Sequence, residues 1–227
     1  YVLTLSLHEE AAEAAHLRGN FEAMENLAET VLQQTKTVLD KIKVYELKIK
    51  AYESQNKLLD AVKTGLHVLK RLGAGLPQKP NQLQILFSYL RVKLALIGKQ
   101  PDVLVSLPKM TDTYKLAEMR ILGIMGYSVY FAAPELLPVL VFKGVSLSLK
   151  HGNASDSILF YNSYGLIQCG YMNNIELGYQ FGQLALRLSE KINDKKIELS
   201  TQFVFNCFVK HWKKHLRKTL KPLETVF

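Results

Sequence analysis

Residues 9–36, EEAAEAAHLRGNFEAMENLAETVLQQTK, decide the fold. They read as two helices joined at Gly19-Asn20. Ala12, Ala15 and Leu17 precede the turn. Phe21 follows it, and Met24, Leu27, Ala28 and Val31 then recur at three- and four-residue steps, which marks one buried helical stripe. Gly19 ends the first helix and frees the chain to reverse. Asn20 supplies a side-chain oxygen to open the second. A lone helical hairpin cannot bury both faces, so the stretch requires neighbours of its own kind.

The next stretch supplies one. Tyr45, Ile49 and Tyr52 step along a helix to the Gln55-Asn56 turn. Leu58, Ala61, Gly65 and Val68 then stand where Phe21, Met24, Ala28 and Val31 stood, displaced by 37 residues. A fixed period of this size is the signature of a helical solenoid. The small residues admit a close neighbouring helix, and the aromatics fill the space between hairpins.

This pattern resembles the tetratricopeptide repeat, a pair of antiparallel helices of about 34 residues. The family's early Trp is His8 in the first unit and Tyr45 in the second, and its closing Pro is absent, with Lys36 and Gly73 near those places. The resemblance implies an all-α right-handed superhelix of antiparallel hairpins. Its expected units are 5–38, 42–73, a degenerate 81–110, 113–151, 154–192 and a truncated 194–227. A connector bearing Gly75, Pro77 and Pro80 interrupts the series, and the third hairpin is expected to be shortened. Asp112 or Thr113 is expected to open a helix reaching about Phe131, and Pro134 to begin its partner. Ser155 or Asp156 opens the fifth unit, and Asn173-Asn174 turns it. Ile175, Gly178, Phe181, Gly182 and Ala185 then repeat the small-residue spacing. The sixth unit starts near Asp194, with Phe203, Cys207 and Trp212 expected on or near its buried side and Pro222 kinking or shortening its last helix.

Composition agrees with a folded, core-bearing chain: of 227 residues 48% are hydrophobic and 22% charged. Pro and Gly are scattered, so one continuous unit is expected. Cys169 and Cys207 sit in apolar helical stretches without metal spacing and read as buried free thiols, which suits a reducing cytoplasm. The N-terminus has neither an initiator Met nor a basic-then-apolar leader, and the sequence from Leu220 stops within helical pattern; both ends read as cuts in a longer chain. The net charge of +9 is uneven. Residues 1–60 carry ten acids against seven bases, residues 61–152 four against twelve, and residues 153–227 six against ten. Such asymmetry steers partners of opposite sign.

No catalytic constellation stands out. Residues 121–142 hold one charge, Glu135, in 22 positions, a length that would cross a bilayer, but Pro134 and Pro138 break it and its halves fit a buried hairpin. His211 and His215 share a four-residue spacing without the Glu that a His-Glu-x-x-His hydrolase needs. Gly73-Ala74-Gly75 lacks the Lys-Ser/Thr of a phosphate loop. Ser146, Ser148 and Ser163 lie in helical context rather than on a nucleophile elbow. Glu9, Glu10 and Glu13 read as a charged rim rather than as an acid-base pair. The expectation is no catalytic residue, no metal and no cofactor in this chain.

The positive proposal concerns surfaces. In repeat superhelices of this kind the first helix of each hairpin lines the inner groove. The exposed candidates there are Glu9, Glu13 and His16, then Lys43, Glu46, Lys50 and Glu53, with Tyr164 and Tyr171 as aromatic contributors. The two-lysine-plus-asparagine clamp of chaperone-tail binders is not evident. Lys210, Lys213, Lys214, Arg217 and Lys218, with Lys221, form the densest basic run. It reads as a solvated helix face, with nucleic-acid binding as the sharper alternative.

A second resemblance is more specific. Residues 107–122, LPKMTDTYKLAEMRIL, are similar to a segment of very large bacterial, especially cyanobacterial, signalling ATPases. LDKIKVYE at 39–46, QNKLLDA at 55–61, GYQFGQLAL at 178–186 and FVKHWKKHL at 208–216 support it. In that family a serine/threonine kinase-like domain and an AAA-type nucleotide-binding domain precede the helical repeats, and a GAF-type sensor and a histidine kinase follow. The resemblance implies a cytoplasmic, non-enzymatic scaffold that binds protein and relays signals within such a parent, with ATP belonging to the parent alone. No ATP-binding or phosphotransfer motif falls in these residues. The alternatives are a free-standing peptide-binding adaptor, a small-molecule sensor and, behind them, a nucleic-acid binder.

Overall fold

The turn at Gly19 has the geometry of a helix ending on a left-handed residue. In the computed structural model, which describes residues 1–192 and 194–224, α1 (Val2–Leu17) and α2 (Phe21–Gln34) flank it. Gly19 has φ +75°. Its N–H donates to the His16 carbonyl, and the Asn20 N–H to the Ala15 carbonyl, at 2.9 Å each, closing off the end of α1. Asn20 Oδ1 then accepts the Ala23 N–H at 3.1 Å and caps α2. The same turn recurs 37 residues later. Asn56 takes φ +57°, its N–H donates to the Glu53 carbonyl and the Lys57 N–H to the Tyr52 carbonyl, joining α3 (Ile42–Ser54) to α4 (Leu58–Arg71). Met24, Ala28 and Val31 and their counterparts Ala61, Gly65 and Val68 are all buried.

The remaining helices are α5 (Gln82–Ala95), α6 (Pro101–Leu104), α7 (Thr113–Ile124), α8 (Gly126–Ala132), α9 (Leu137–His151), α10 (Ser157–Gly170), α11 (Ile175–Ile192), α12 (Lys195–Val204) and α13 (Arg217–Glu224). The protein is all-α. Among the described residues the one extended pairing is an isolated bridge between Lys109 and Asn153. None of the described helices is long and apolar enough to cross a membrane.

Two compact units make up the chain, one of residues 1–80 with 116–137, the other of residues 81–115 with 138 onward. In the first, Ala12, Met24, Ala28, Val31, Val44, Leu47 and Ala51 form a shared core under α1, α2 and α3. Gly65 lets α8 approach α4: a Cβ there would fall 2.6 Å from Met125 Sδ. In the second, Phe142, Phe160, Tyr161, Tyr164 and Phe181 are fully buried. There α10 and α11 meet through glycine, since a Cβ on Gly178 would lie 2.6 Å from the Gly165 carbonyl oxygen.

Two local expectations need correction. The helix expected to run to Phe131 ends at Ile124, and α8 starts afresh at Gly126. The break puts the buried Met125 side chain over Gly65, which one continuous helix has no local signal to predict. The expected buried side of the sixth unit is shifted. After α12 the chain widens into a π turn, Phe205–Val209, and then tightens into a 3₁₀ turn, Lys210–Trp212. The extra residue in the wide turn rotates the face, so Phe205, Asn206 and Val209 are buried while Phe203 and Cys207 are only half-buried and Trp212 is exposed. Pro222 lies inside α13, an eight-residue helix. Elsewhere Asn81 caps α5 in a reciprocal box with Gln84, the four-residue α6 packs against α11, and Asp194 caps α12 through its side chain. Residues 225–227, at the end of the expected sixth unit, lie outside the described residues.

Candidate functional site

The first helices of the first two hairpins, α1 and α3, lie against one another in the first unit. Between them runs a cleft of about 110 Å³ lined by Glu9, Glu13, Lys43, Val44, Glu46, Leu47 and Lys50. Five of the groove candidates are thereby brought together. Their spacing explains this: Glu9 and Glu13 are one helical step apart on α1, and Lys43, Glu46 and Lys50 follow a three-then-four step on α3, so each set shares a face. Val44 and Leu47 floor the cleft.

Ion pairs tie the rim. Lys43 Nζ lies 3.4 Å from Glu9 Oε2, and Arg120 Nε lies 3.0 Å from Glu46 Oε1. Glu53 Oε1 accepts the Ser128 hydroxyl at 2.6 Å. Lys43 and Arg120 are about half exposed, so such pairs add little stability, at most about 1 kcal/mol each, and remain available for exchange with a charged partner. Arg120 and Ser128 were invisible to sequence reasoning because they come from α7 and α8, far along the chain. The cleft falls well short of the roughly 300 Å³ at which pockets enclose a whole small ligand. Its scale is that of a single side chain.

His16 stands apart from the cleft, half-buried near the α1–α2 turn with its ring 5.9 Å from that of Phe21. Tyr164 is 1% exposed and belongs to the core of the second unit, its ring 4.6 Å from Phe181. It presents no surface, because α10 carries no charge and is buried around most of its circumference. Burial raises its phenol above the ordinary tyrosine range. Tyr171, capping α10, is 84% exposed.

The basic run is not one helix face. Lys210 sits in the 3₁₀ turn, Lys213 and Lys214 follow it, and Arg217 and Lys218 begin α13. Lys213 Nζ lies 2.5 Å from Glu176 Oε2 and 5.0 Å above the Tyr179 ring. The hydrogen bond from Lys213 holds the Glu176 carboxyl below the ordinary carboxylate value. Lys210 donates to Asn206 Oδ1 at 3.0 Å, and partial burial, aided by Lys218, lowers its ammonium pKa. His211 and His215 do not share a helical face, since the chain leaves the helix between them and His215 Nδ1 instead accepts the Arg217 N–H. Among the described residues no group of three or more metal-ligating side chains converges.

A second depression, of about 250 Å³, lies between α1 and α2 and is lined by Tyr1, Thr4, Leu5, His8 and residues of the end of α2. Sequence reasoning missed it, for its lining holds no Asp, Glu, Lys or Arg to draw attention.

No family model matches the chain, and no solved structure does. Hybrid signal transduction histidine kinase G of Dictyostelium discoideum is 21% identical over 246 residues, an alignment that takes in 100% of this chain. The chain spans 7% of that protein's length. The likeness is distant, and it connects the chain to a signal-transduction kinase.

Proposed function

We propose that the chain is a non-catalytic protein-interaction and signal-relay segment of a longer cytoplasmic signalling protein, built as a right-handed superhelix of tetratricopeptide-like hairpins. The observation that carries this reading is the alignment of the whole chain with 7% of the length of a hybrid signal transduction histidine kinase. The repeated turn at Gly19 and Asn56 supports the repeat architecture. A parent that couples an ATP-dependent module to a sensor and histidine kinase needs a connector that both holds and responds. Stacked hairpins suit the task, because each contacts mainly its neighbours and small shifts accumulate along the stack.

The cleft between α1 and α3 is the proposed contact surface, with Lys43 and Lys50 meeting acidic side chains and Glu9, Glu13 and Glu46 meeting basic ones. Titration calorimetry of the chain against the isolated flanking domains of its parent tests this. Binding by one of them, weakened by Lys43→Glu with Lys50→Glu and left intact by Lys214→Glu with Lys218→Glu, is the expected result. Binding that is absent, or that follows the second pair alone, would refute the cleft as the contact surface.

A further inference from the structure

Helix α5 is apolar on two opposite faces. Ile85, Ser88, Tyr89, Val92 and Leu96 turn inward, with Val92 fully buried and the Tyr89 ring 5.7 Å from that of Phe142. The other face is open. Leu83, Phe87 and Leu94 are 63%, 64% and 65% exposed, Leu86 and Leu90 are exposed beside them, and Ile97, 71% exposed, continues the line just past the helix end. Single exposed apolar residues are ordinary, but a contiguous row of six marks an interaction surface.

The row has a register. Positions 83, 87, 90, 94 and 97 step by four, three, four and three, the spacing of a two-helix seam, and the row occupies an arc of about 100°. Arg91 and Lys93 stand on its two sides at the flanking positions of that heptad. Neither has an ion-pair partner among the described residues, and no acidic residue occurs between positions 61 and 101. These features choose among occupants. A second copy laid antiparallel on this face would set Arg91 against Arg91 and Lys93 against Lys93, which like charges disfavour. A membrane-lying helix has a broad apolar face opposed by a strongly charged one, whereas α5 has a narrow seam opposed by a half-buried, uncharged face centred on Val92.

We infer that the open face of α5 is the docking seam for an acidic amphipathic helix of a protein partner, one with apolar residues at alternating three- and four-residue steps and Glu or Asp beside them. This surface belongs to the second unit and the α1–α3 cleft to the first, so either can fail without the other.

Two 21-residue designed peptides test it, each with Leu at the two seam positions of every heptad, one with Glu and the other with Lys at the flanking positions. Like charges keep each peptide from pairing with itself. Fluorescence anisotropy against the whole chain should give binding of the Glu-flanked peptide at least tenfold tighter than that of the Lys-flanked one. Phe87→Ser with Leu90→Ser, both exposed positions, should remove it. Arg91→Glu with Lys93→Glu should invert the preference, an outcome that misfolding cannot imitate. Equal binding of both peptides, or no binding of the Glu-flanked one, overturns the proposal. So does retention of the chain on phosphatidylserine vesicles, or a sedimenting dimer, if either depends on Phe87 and the Glu-flanked peptide does not bind.

Discussion

Replacing Gly178 by Ala tests a close contact between two helices of the second unit. The new Cβ would lie 2.4 Å from Cys169 Sγ, 2.6 Å from the Gly165 carbonyl oxygen and 3.0 Å from the Cys169 backbone nitrogen. Reaching ordinary van der Waals separation requires α10 and α11 to part by roughly 1 Å. Two of the three obstacles are backbone atoms, which cannot rotate aside, so the overpacking penalty falls near the upper end of its usual span, about 3 kcal/mol. Alanine returns about 1 kcal/mol through its better helix propensity. The net expectation is a loss of about 2 kcal/mol, or a urea midpoint roughly 1 M lower for a slope near 2 kcal/mol per M. Because the chain comprises two compact units, the transition should be followed by emission from Trp212, the single tryptophan, which lies in the second. Gly170→Ala, in the same unit, is the matched control: nothing lies within 4 Å of its Cβ position, so stability should hold or rise by no more than about 1 kcal/mol. A neutral or stabilising Gly178→Ala would refute the backbone-to-backbone packing of α10 on α11.

Other perturbations give distinct signatures. Cys169 is buried, its thiol pKa raised by desolvation, whereas Cys207 is half-buried; a disulfide reagent at pH 8 should therefore titrate one thiol rapidly, and Cys207→Ser should erase that fast phase. Tyr161→Phe deletes a buried hydrogen bond, 2.9 Å from the hydroxyl to Asn153 Oδ1, and should lower stability by about 1–2 kcal/mol in denaturant titration. Glu176 has its carboxyl pKa lowered by Lys213. The contribution of that pair is thus present above the ordinary value of 4.5 and is lost as pH falls through the lower folded value. Glu176→Gln should flatten this acid-side slope in thermal melts from pH 6 to 3, and an unchanged slope would discount the pair. Arg120→Ala should leave the fold intact, with a stability change within about 1 kcal/mol, while altering the salt dependence of any partner that binds the α1–α3 cleft.

The parts of the structure legible in sequence were those set by local chemistry. Gly19-Asn20 and the Gln55-Asn56 turn announced two hairpins, and the shared 37-residue displacement of Met24 and Ala61, Ala28 and Gly65, and Val31 and Val68 announced which side of each helix is buried. Helical spacing likewise gathered Glu9, Glu13, Lys43, Glu46 and Lys50 into one cleft. What escaped was tertiary in origin. The break at Met125 answers to Gly65 on another helix, and Arg120 joins Glu46 across 74 residues of sequence. Tyr164 resembled a groove aromatic because periodicity on a helix without a single charge cannot separate core from surface. The same ambiguity concealed α5, whose two apolar faces look alike until one is covered and the other left open.

The central claim is that these helices relay state rather than merely space apart the modules beside them. Its most direct test is histidine autophosphorylation of the full-length parent, loaded with ATP or ADP, before and after this chain is replaced by an unrelated rigid helical spacer of equal length. Signal relay predicts that each flanking activity survives replacement while the nucleotide dependence of autophosphorylation disappears. An undiminished nucleotide response in the spacer protein would contradict it and leave spacing as the chain's only task.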